Sequence, residues 1–253
     1  MNNNNFRGSV TLVTGSSKGI GRAIAQRFAC EGSKLVINYR TNEEAAAETV
    51  AAIEANGGEA FTYQADVSDS DQIEALFSAA EERYGGLDYL VCNAAYGRFE
   101  KLSDLPLKVI RKAFDVNVVG VLECARSALP LMKSRGGGRI VVLGSPGAHR
   151  VAAGYAAVGV SKGALESLVR YLATSFARHG ITVNAVSPGI VQTSALEEYF
   201  EPDQIEQLAA RTPMGRTVQP DEVAAAVAFL CTPEAGMICG HVLSIDGGLT
   251  LPI

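Results

Sequence analysis

The sequence predicts an α/β fold in which seven parallel strands form one doubly wound sheet with helices on both faces. Short apolar, β-branched runs alternate along the chain with longer segments of helical periodicity, as in parallel sheets that are covered on both sides. The chain has 253 residues, of which 47% are hydrophobic and 19% charged. That length and composition suit one large domain with a buried core.

The first half of the chain contains four of the predicted strands and three helices. The strands are runs rich in apolar and β-branched residues, at 9–14, 34–39, 59–64 and 88–92. Helical periodicity covers 20–30, and Gly32 ends that helix. Asn42 is a suitable cap for the Ala- and Glu-rich helix that follows, and a third helix is predicted over 69–84.

The second half continues the alternation with three more strands and three helices. A long helical pattern covers about 106–133, another helix opens within 155–162 and runs to His179, and the last covers 221–230. The remaining strands are predicted at 139–143, 181–186 and 241–245.

No linker or internal repeat divides the chain, so residues 1–253 are predicted to form a single domain. The asparagine tract at the start predicts a flexible tail over 1–6. The irregular segment 190–216 mixes apolar and acidic residues, as would a mobile lid over an acyl chain. A solvated helix that covers the edge of the sheet is an equally good interpretation of that segment.

Composition excludes several other classes of protein. The formal net charge is −5, whereas a protein that binds nucleic acid without sequence preference normally has a basic excess. There is no apolar run long enough to span a membrane and no signal peptide, so a cytoplasmic protein is predicted. The five cysteines are scattered, which predicts reduced thiols and no metal site: Cys30, Cys92, Cys124, Cys231 and Cys239.

A glycine-rich turn, TGSSKGIG at 14–21, joins the first strand to the first helix. Glycines let the backbone approach a pyrophosphate closely, and the helix N-terminus offers unpaired N–H groups and the positive end of its dipole. An ordinary turn would not need a strand before it and a helix after it, but this mechanism does. The turn therefore predicts a dinucleotide site.

The end of the second strand indicates which dinucleotide is bound. Sites for NAD usually have an acidic residue there to hold the ribose hydroxyls, but this strand ends in Asn38-Tyr39-Arg40. Lys18 lies in the glycine turn, so Lys18 and Arg40 are two cations near the place of a 2′-phosphate. The pair predicts NADPH as the cofactor.

Further motifs follow the glycine turn along the chain. Asn117 lies in the long helical pattern, Ser145 follows the fifth strand, and Pro188-Gly189 follows the sixth. Asn93-Ala94-Ala95 follows the fourth strand and is preceded by Cys92. With the T-G-x-x-x-G-x-G turn, these motifs resemble those of the short-chain dehydrogenase/reductase family over essentially the whole chain. Cys92 stands in place of an Asn of that family, and Ala95 in place of a Gly.

This resemblance implies a Rossmann-type fold with a nicotinamide cofactor. Asp66 and Val67 lie where the family contacts adenine. The residues that the resemblance implies for the cofactor site are Gly15, Ser16, Ser17, Lys18, Gly19, Ile20, Gly21, Tyr39, Arg40, Asp66, Val67, Asn93, Ala94, Ala95, Lys162, Pro188, Gly189, Ile190 and Thr193.

The catalytic motif departs from the family's Y-x-x-x-K, because Val158 occupies the Tyr position and has no proton to give. Tyr155 and Lys162 lie seven positions apart instead, a step that returns to nearly the same stripe of a helix. This Tyr-x6-Lys spacing resembles enoyl-acyl-carrier-protein reductases, and residues 155–171 resemble the NADPH-dependent type III of that branch. Moving the Tyr by three residues shifts its Cα by roughly 4.5 Å along a helix axis. When hydride is transferred to the β-carbon of an enoyl thioester, the oxygen that gains negative charge lies a few bonds from that carbon. A shift of this order would bring the Tyr hydroxyl to that more distant oxygen.

The resemblance implies reduction of the 2,3-double bond of an enoyl thioester in fatty-acid synthesis, with acyl carrier protein or coenzyme A as the carrier. In this hypothesis the catalytic residues are Tyr155, Lys162, Ser145 and Asn117. Tyr155 stabilises the enolate, and Lys162 holds the nicotinamide ribose and places positive charge beside the phenol. Ser145 helps to position the substrate, and Asn117 holds the helix and a water near Lys162.

Two other functions stay open. A carbonyl reductase could use another proton donor in place of a Tyr at 158, and a non-catalytic NADPH-binding protein could keep Tyr155 for structure alone. A locally basic stretch could meet an acidic carrier protein or be a solvated face, and its members are Arg98, Lys101, Lys108, Arg111 and Lys112. The family resemblance also implies a homotetramer.

Overall fold

The computed structural model describes residues 6–251 and contains one sheet of seven parallel strands. The strands, numbered in chain order, are β1 Val10–Val13, β2 Lys34–Tyr39, β3 Glu59–Gln64, β4 Tyr89–Cys92, β5 Gly138–Leu143, β6 Ile181–Pro188 and β7 Val242–Ile245. They lie in the order β3-β2-β1-β4-β5-β6-β7. Successive strands run outward from β1 in one direction and from β4 in the other, so a crevice opens beyond the carboxyl ends of β1 and β4.

Helices cover both faces of the sheet, as predicted. They are α1 Gly19–Cys30, α2 Glu43–Ala55, α3 Ser70–Tyr84, α4 Leu107–Phe114, α5 Gly120–Ser134, α6 Ala156–Phe176, α7 Ser194–Glu197, α8 Pro202–Ala210 and α9 Pro220–Cys231. Buried side chains of α1, α2 and α9 pack on one face, and those of α3, α5 and α6 pack on the other. Burial of these two apolar layers is the main source of stability for the fold.

The long helix predicted at 106–133 is interrupted. A π-helical turn, Asp115–Val119, joins α4 to α5. Just after it, α5 approaches the chain so closely that a Cβ on Gly120 would lie 2.0 Å from the carbonyl oxygen of Val67. This contact between distant parts of the chain requires glycine at 120, and the turn carries the fully buried Asn117.

The structure corrects two predictions at the level of segments. Phe6, assigned to a flexible tail, is buried, and its ring stacks on Phe28 with the ring centroids 4.5 Å apart. Residues 1–5 of that tail lie outside the described residues. Segment 190–216 is not irregular throughout, because it contains α7 and α8, and the Thr193 hydroxyl caps α7 by accepting from the backbone N–H of Leu196.

Within residues 6–251, no helix has both the length and the apolar character needed to cross a membrane.

Candidate active site

The glycine turn is held to the ends of β2 and β4 by buried polar groups. The side-chain oxygen of Asn38 accepts from the N–H of Gly15 at 3.1 Å. The Thr14 hydroxyl oxygen accepts from the N–H groups of Asn93 and Ala94, each at 3.0 Å. These bonds fix the turn across the crevice between β1 and β4, which is where a doubly wound sheet binds a dinucleotide.

The backbone of the turn leaves no room for side chains at its centre. Gly15 and Gly19 have φ angles of +62° and +57°, which favour glycine. A Cβ on Gly21 would lie 2.4 Å from the carbonyl oxygen of Gly15 and 2.6 Å from the amide nitrogen of Asn93. Glycine at these positions lets the start of α1 pack directly against the turn and Asn93, and this backbone arrangement fits a pyrophosphate at the N–H groups of the helix N-terminus.

Asp66 is the centre of a charged cluster at the end of the crevice predicted for adenine. Its carboxylate accepts from the N–H and the hydroxyl of Ser68, at 2.9 and 2.6 Å, and from Lys112 Nζ at 3.3 Å. Partial burial raises the pKa of Asp66, but the bonds from Ser68 and Lys112 outweigh burial and hold it below its usual value. Arg40 lies 3.9 Å from the same carboxylate. Arg40 therefore follows the end of the second strand and faces the same carboxylate as Lys112.

The base of segment 190–216 closes over the glycine turn. A Cβ on Gly19 would lie 3.6 Å from the Thr193 methyl group. Before that point the N–H of Gly189 donates to the carbonyl of Ile245 at 2.9 Å, and the carbonyl of Ile190 accepts from Val218 at 2.8 Å. The predicted cofactor residues 188–193 thus come together with the turn 14–21.

Ser145 and Tyr155 converge at the carboxyl end of β5. Ser145 Oγ lies 3.4 Å from the Tyr155 hydroxyl and accepts from the N–H of Gly147 at 3.2 Å. The Tyr155 ring lies so close to Gly147 that a Cβ there would be 2.8 Å from two ring carbons. Burial raises the pKa of Tyr155, and the hydrogen bond with Ser145 offsets part of the rise, so the phenol stays protonated at neutral pH.

Lys162 is buried on α6, and its ammonium donates to the carbonyl of Leu143 at the end of β5. Burial lowers the pKa of Lys162 to about 8. Among the described residues, no hydrogen bond joins Lys162 directly to Tyr155. Tyr155 is the N-terminal cap of α6, with φ −100° and ψ 13°, and its carbonyl accepts from the N–H of Gly159 at 2.8 Å, so the helix opens within 155–162 as predicted.

Asn117 connects the loop after β4 to α6. Its amide oxygen accepts from the N–H of Tyr96 at 2.8 Å, and its amide nitrogen donates to the carbonyl of Tyr96 and to the hydroxyl of Ser161, each at 2.9 Å. Ser161 immediately precedes Lys162. Asn117 therefore holds the helix that carries Lys162, as the sequence predicted. Val158 points toward the same loop, since a Cβ on Gly97 would lie 2.0 Å from a Val158 methyl group.

Four aromatic rings extend from Tyr155 into segment 190–216. The centroid of Phe99 lies 5.2 Å from that of Tyr155, 5.0 Å from that of Tyr199 and 5.4 Å from that of Phe200. Phe99 and Tyr199 remain partly exposed. This aromatic cluster (Phe99, Tyr155, Tyr199, Phe200) gives the site an apolar wall directly beside the Tyr155 hydroxyl.

The match to known families agrees with this geometry. The family model described as Enoyl-(Acyl carrier protein) reductase matches residues 15–250. The 1-cyclohexenylcarbonyl-CoA reductase of Streptomyces collinus is 39% identical over 248 residues, which cover 97% of this chain and 88% of that protein. The chain belongs to the short-chain dehydrogenase/reductase family.

Relatives within the short-chain dehydrogenase/reductase family include enzymes of other specificity. The 3beta-hydroxysteroid dehydrogenase 1 of Eggerthella lenta is 38% identical over 253 residues, covering 97% of this chain and 95% of that protein. A solved 7 alpha-hydroxysteroid dehydrogenase complexed with NADH and 7-oxo glycochenodeoxycholic acid has a TM-score of 0.93 and 33% identity, and the match covers 98% of this chain and 96% of that chain. The seven-stranded Rossmann-type fold is confirmed, and the protein is an oxidoreductase of a family that binds a nicotinamide cofactor.

Two cations of the predicted basic stretch pair with acidic side chains, and the other three are exposed. Lys112 turns inward to Asp66, and Arg98 pairs with Glu100 at 2.9 Å. Lys101, Lys108 and Arg111 are exposed.

Three residues near the site were not predicted from the sequence. Asn38 was interpreted only as a non-acidic strand end, although a buried Asn beside a glycine turn is a signal for a backbone contact. Phe99 has no motif around it, and its place against Tyr155 depends on the path of the loop after β4. His149 also matches no motif, and in the structure it pairs with the buried Glu166.

Proposed function

We propose that the protein reduces the 2,3-double bond of an enoyl thioester with NADPH. The observation that carries this proposal is the position of the Tyr155 hydroxyl, 3.4 Å from Ser145 Oγ, with Val158 at the family's usual Tyr position. Among the described residues, Tyr155 is therefore the tyrosine whose hydroxyl forms a hydrogen bond with Ser145. The relative from Streptomyces collinus, which is named as a reductase of a 1-cyclohexenylcarbonyl thioester, supports the same class of substrate.

The side chains of this protein would stabilise the charge that develops on the substrate. NADPH, when bound, supplies the hydride that reaches the β-carbon. The thioester oxygen then gains negative charge, and the Tyr155 hydroxyl donates a hydrogen bond to it. Ser145 orients that phenol through the 3.4 Å contact between Ser145 Oγ and the Tyr155 hydroxyl. The proton that completes reduction at the α-carbon is taken up from solvent or from Tyr155.

Lys162 supplies positive charge to the same part of the site. Its ammonium is buried, and with a pKa of about 8 it is mostly charged at neutral pH. A buried charge acts strongly on nearby groups because little water screens it. We assign Lys162 to the nicotinamide ribose and to stabilisation of the enolate, with Asn117 and Ser161 fixing the turn of α6 that carries it.

The aromatic cluster favours an apolar acyl group. Phe99 lies between Tyr155 and the two rings of segment 190–216, and Phe99 and Tyr199 have exposed surface that an acyl chain can cover. Binding of that chain would remove apolar area from water on both partners. We assign segment 190–216 as the substrate lid on this basis.

The preference for NADPH rests on Lys18 and Arg40. Lys18 lies in the glycine turn, and Arg40 directly follows β2. The end of β2 has no carboxylate that would hold the ribose hydroxyls of NAD. The residues named above for the cofactor site would hold the dinucleotide, with the pyrophosphate at the start of α1.

Two further properties belong to this proposal. The five cysteines are free, which supports a reducing, cytoplasmic environment. Val160 and Tyr171 are exposed apolar residues on α6, which supports assembly through that helix into a homotetramer.

A carbonyl reductase is the second candidate, because two of the relatives above are hydroxysteroid dehydrogenases. Purified protein should be given NADPH with crotonyl thioester, with acetoacetyl thioester, and with neither, while absorbance at the NADPH band is followed. We expect oxidation of NADPH with the crotonyl thioester and at most a trace with the acetoacetyl thioester. The reverse result would favour the carbonyl reductase, and a failure of both thioesters to oxidise NADPH would favour a non-catalytic binding protein.

A further inference from the structure

The loop between β5 and α6 carries both Ser145 and Tyr155, and a small set of polar contacts ties it to the rest of the chain. The carbonyl of Gly154 accepts from the N–H of Glu100 at 2.9 Å, and Arg150 donates to the carbonyl of Thr250. A further tie is the contact between His149 Nε2 and a carboxylate oxygen of Glu166, which joins this loop to the helix of Lys162.

Glu166 is an unusual residue to find at this depth. Its side chain is only 3% exposed, whereas that of His149 is 68% exposed. One carboxylate oxygen faces His149 Nε2, and the other has no hydrogen-bond partner among the described residues. A buried carboxylate with a single partner depends strongly on that partner, because removal leaves an uncompensated charge in a poorly solvated place.

The two residues of this contact lie next to the residues proposed to act in the reaction. Glu166 follows Lys162 by one turn of α6. His149 ends the 3₁₀ turn Pro146–Ala148, and the Ser145 hydroxyl caps the start of that turn by accepting from Gly147. A shift of His149 relative to α6 is therefore transmitted through the three residues of that turn to Ser145.

We infer that His149 and Glu166 are positioning residues for the reaction. Their contact fixes the loop against α6, and so sets where Ser145 and Tyr155 stand relative to Lys162. Neither residue is among those proposed to bind the substrate or the cofactor. The inference rests on the proposed roles of Ser145 and Tyr155, and it holds for reduction of either an enoyl or a carbonyl group.

His149→Gln tests the inference, since the substituted side chain is largely exposed and folding should survive. We expect kcat on the best thioester or ketone substrate to fall about 10- to 100-fold, the cost of a small misplacement of catalytic groups. The Kd for NADPH, from the change in its fluorescence on binding, should stay within about twofold because the glycine turn is untouched. His241→Gln is the matched control and should leave kcat unchanged, because that exposed histidine directly precedes β7, at the opposite end of the sheet from the site.

A double-mutant cycle with Ser145→Ala distinguishes positioning from general destabilisation. If His149 acts through Ser145, then His149→Gln should cause little further loss of kcat in the Ser145→Ala protein. Fully additive losses, or a wild-type kcat in His149→Gln, would overturn the inference. Glu166→Gln keeps the volume and removes the charge, and it should reproduce the effect of His149→Gln without adding to it. If Glu166→Gln lowers the melting temperature too far to assay, the His149 cycle decides alone.

Failure of the proposed function would look different. In that case the wild-type protein would reduce ketones rather than enoyl thioesters, and the cycle would be measured on a ketone. A non-additive cycle there would keep the positioning role and reject the enoyl-reductase assignment.

Discussion

Lys18 in the glycine turn and Glu198 at the end of α7 form an ion pair with a distance of 3.4 Å between Nζ and Oε1. More than half of each side chain is exposed, at 53% and 62%, so the pair itself stabilises the fold little. Its importance is its position, because it joins the turn predicted to hold phosphate to the segment proposed as the lid. A 2′-phosphate bound by Lys18 competes with Glu198 for the same ammonium.

Glu198→Gln should therefore tighten NADPH binding. We expect the Kd for NADPH to fall about two- to fivefold, the range of an exposed ion pair, and the Kd for NADH to stay the same. Fluorescence titration of both cofactors measures this. Glu197→Gln is the control, since the neighbouring carboxylate pairs with Gln192 at 3.0 Å and does not reach Lys18. Equal changes for NADPH and NADH would show that Glu198 does not compete with the 2′-phosphate.

Removal of both cations should abolish the preference for NADPH. Lys18→Ala with Arg40→Ala should weaken NADPH far more than NADH, by about 1.5–3 kcal/mol for each charge-assisted hydrogen bond that is removed. Calorimetric titration with both cofactors gives the two affinities. A pair of exposed cations on α4, Lys108→Ala with Arg111→Ala, is a control of equal charge change. A double variant that kept the wild-type preference would contradict the assignment.

Tyr155→Phe removes one hydroxyl and leaves packing against Phe99 and Gly147 almost unchanged. If the hydroxyl stabilises enolate charge, kcat on an enoyl thioester should fall roughly 10²–10³-fold, and KM should change much less. Steady-state kinetics and a titration with NADPH check both parts. Tyr84→Phe, at the end of α3, should behave as wild type, because its buried hydroxyl has no hydrogen-bond partner among the described residues. The enoyl-reductase mechanism fails if Tyr155→Phe retains wild-type kcat on its best enoyl substrate.

Val158→Tyr rebuilds the four-residue Tyr–Lys spacing with Lys162. We expect a gain of ketone reduction, because Ser145, Asn117 and Lys162 are all in place. The larger side chain must displace the loop at Gly97, which a Val158 methyl group already contacts, so stability should fall by about 1–3 kcal/mol. Assays with acetoacetyl thioester and thermal unfolding measure the two effects. A well-folded variant with no ketone activity would show that this position alone does not set the reaction.

The pH dependence of the reaction should report Lys162. Burial lowers its pKa to about 8, so the ammonium is charged below that pH and neutral above it. Because the raised pKa of Tyr155 keeps the phenol protonated over the same range, kcat/KM should fall as the pH rises through about 8. The profile of kcat/KM between about pH 6 and 10 gives the midpoint. A profile that stays flat well above that midpoint would argue against a role for the charge of Lys162.

Much of the sheet could be predicted because local pattern and burial agree. β2 and β3 occupy the predicted ranges, 34–39 and 59–64, since each is a short run bounded by turn residues. Asn42 accepts from the N–H of Ala45, as its capping role requires. These features depend on neighbours in sequence, which a single chain displays directly.

The parts that sequence could not predict depend on contacts between distant residues. The π-helical turn precedes Gly120, which packs closely against the carbonyl of Val67. The burial of Phe6 depends on contacts with Phe28 and Tyr89. His149 and Glu166 are 17 positions apart and match no motif.

The position of Tyr155 at the N-terminal cap of α6 ties the phenol and Lys162 to the same helix. The carbonyl of Tyr155 accepts from the N–H of Gly159 at 2.8 Å, and Lys162 is set by Asn117 through Ser161 and by the end of β5. Ser145 belongs instead to the loop before that cap. A protein engineer, or natural variation, could therefore move the serine relative to the phenol by editing residues 144–154 alone. The Tyr–Lys pair and the cofactor cradle would stay where they are, and the same scaffold could serve a differently shaped substrate.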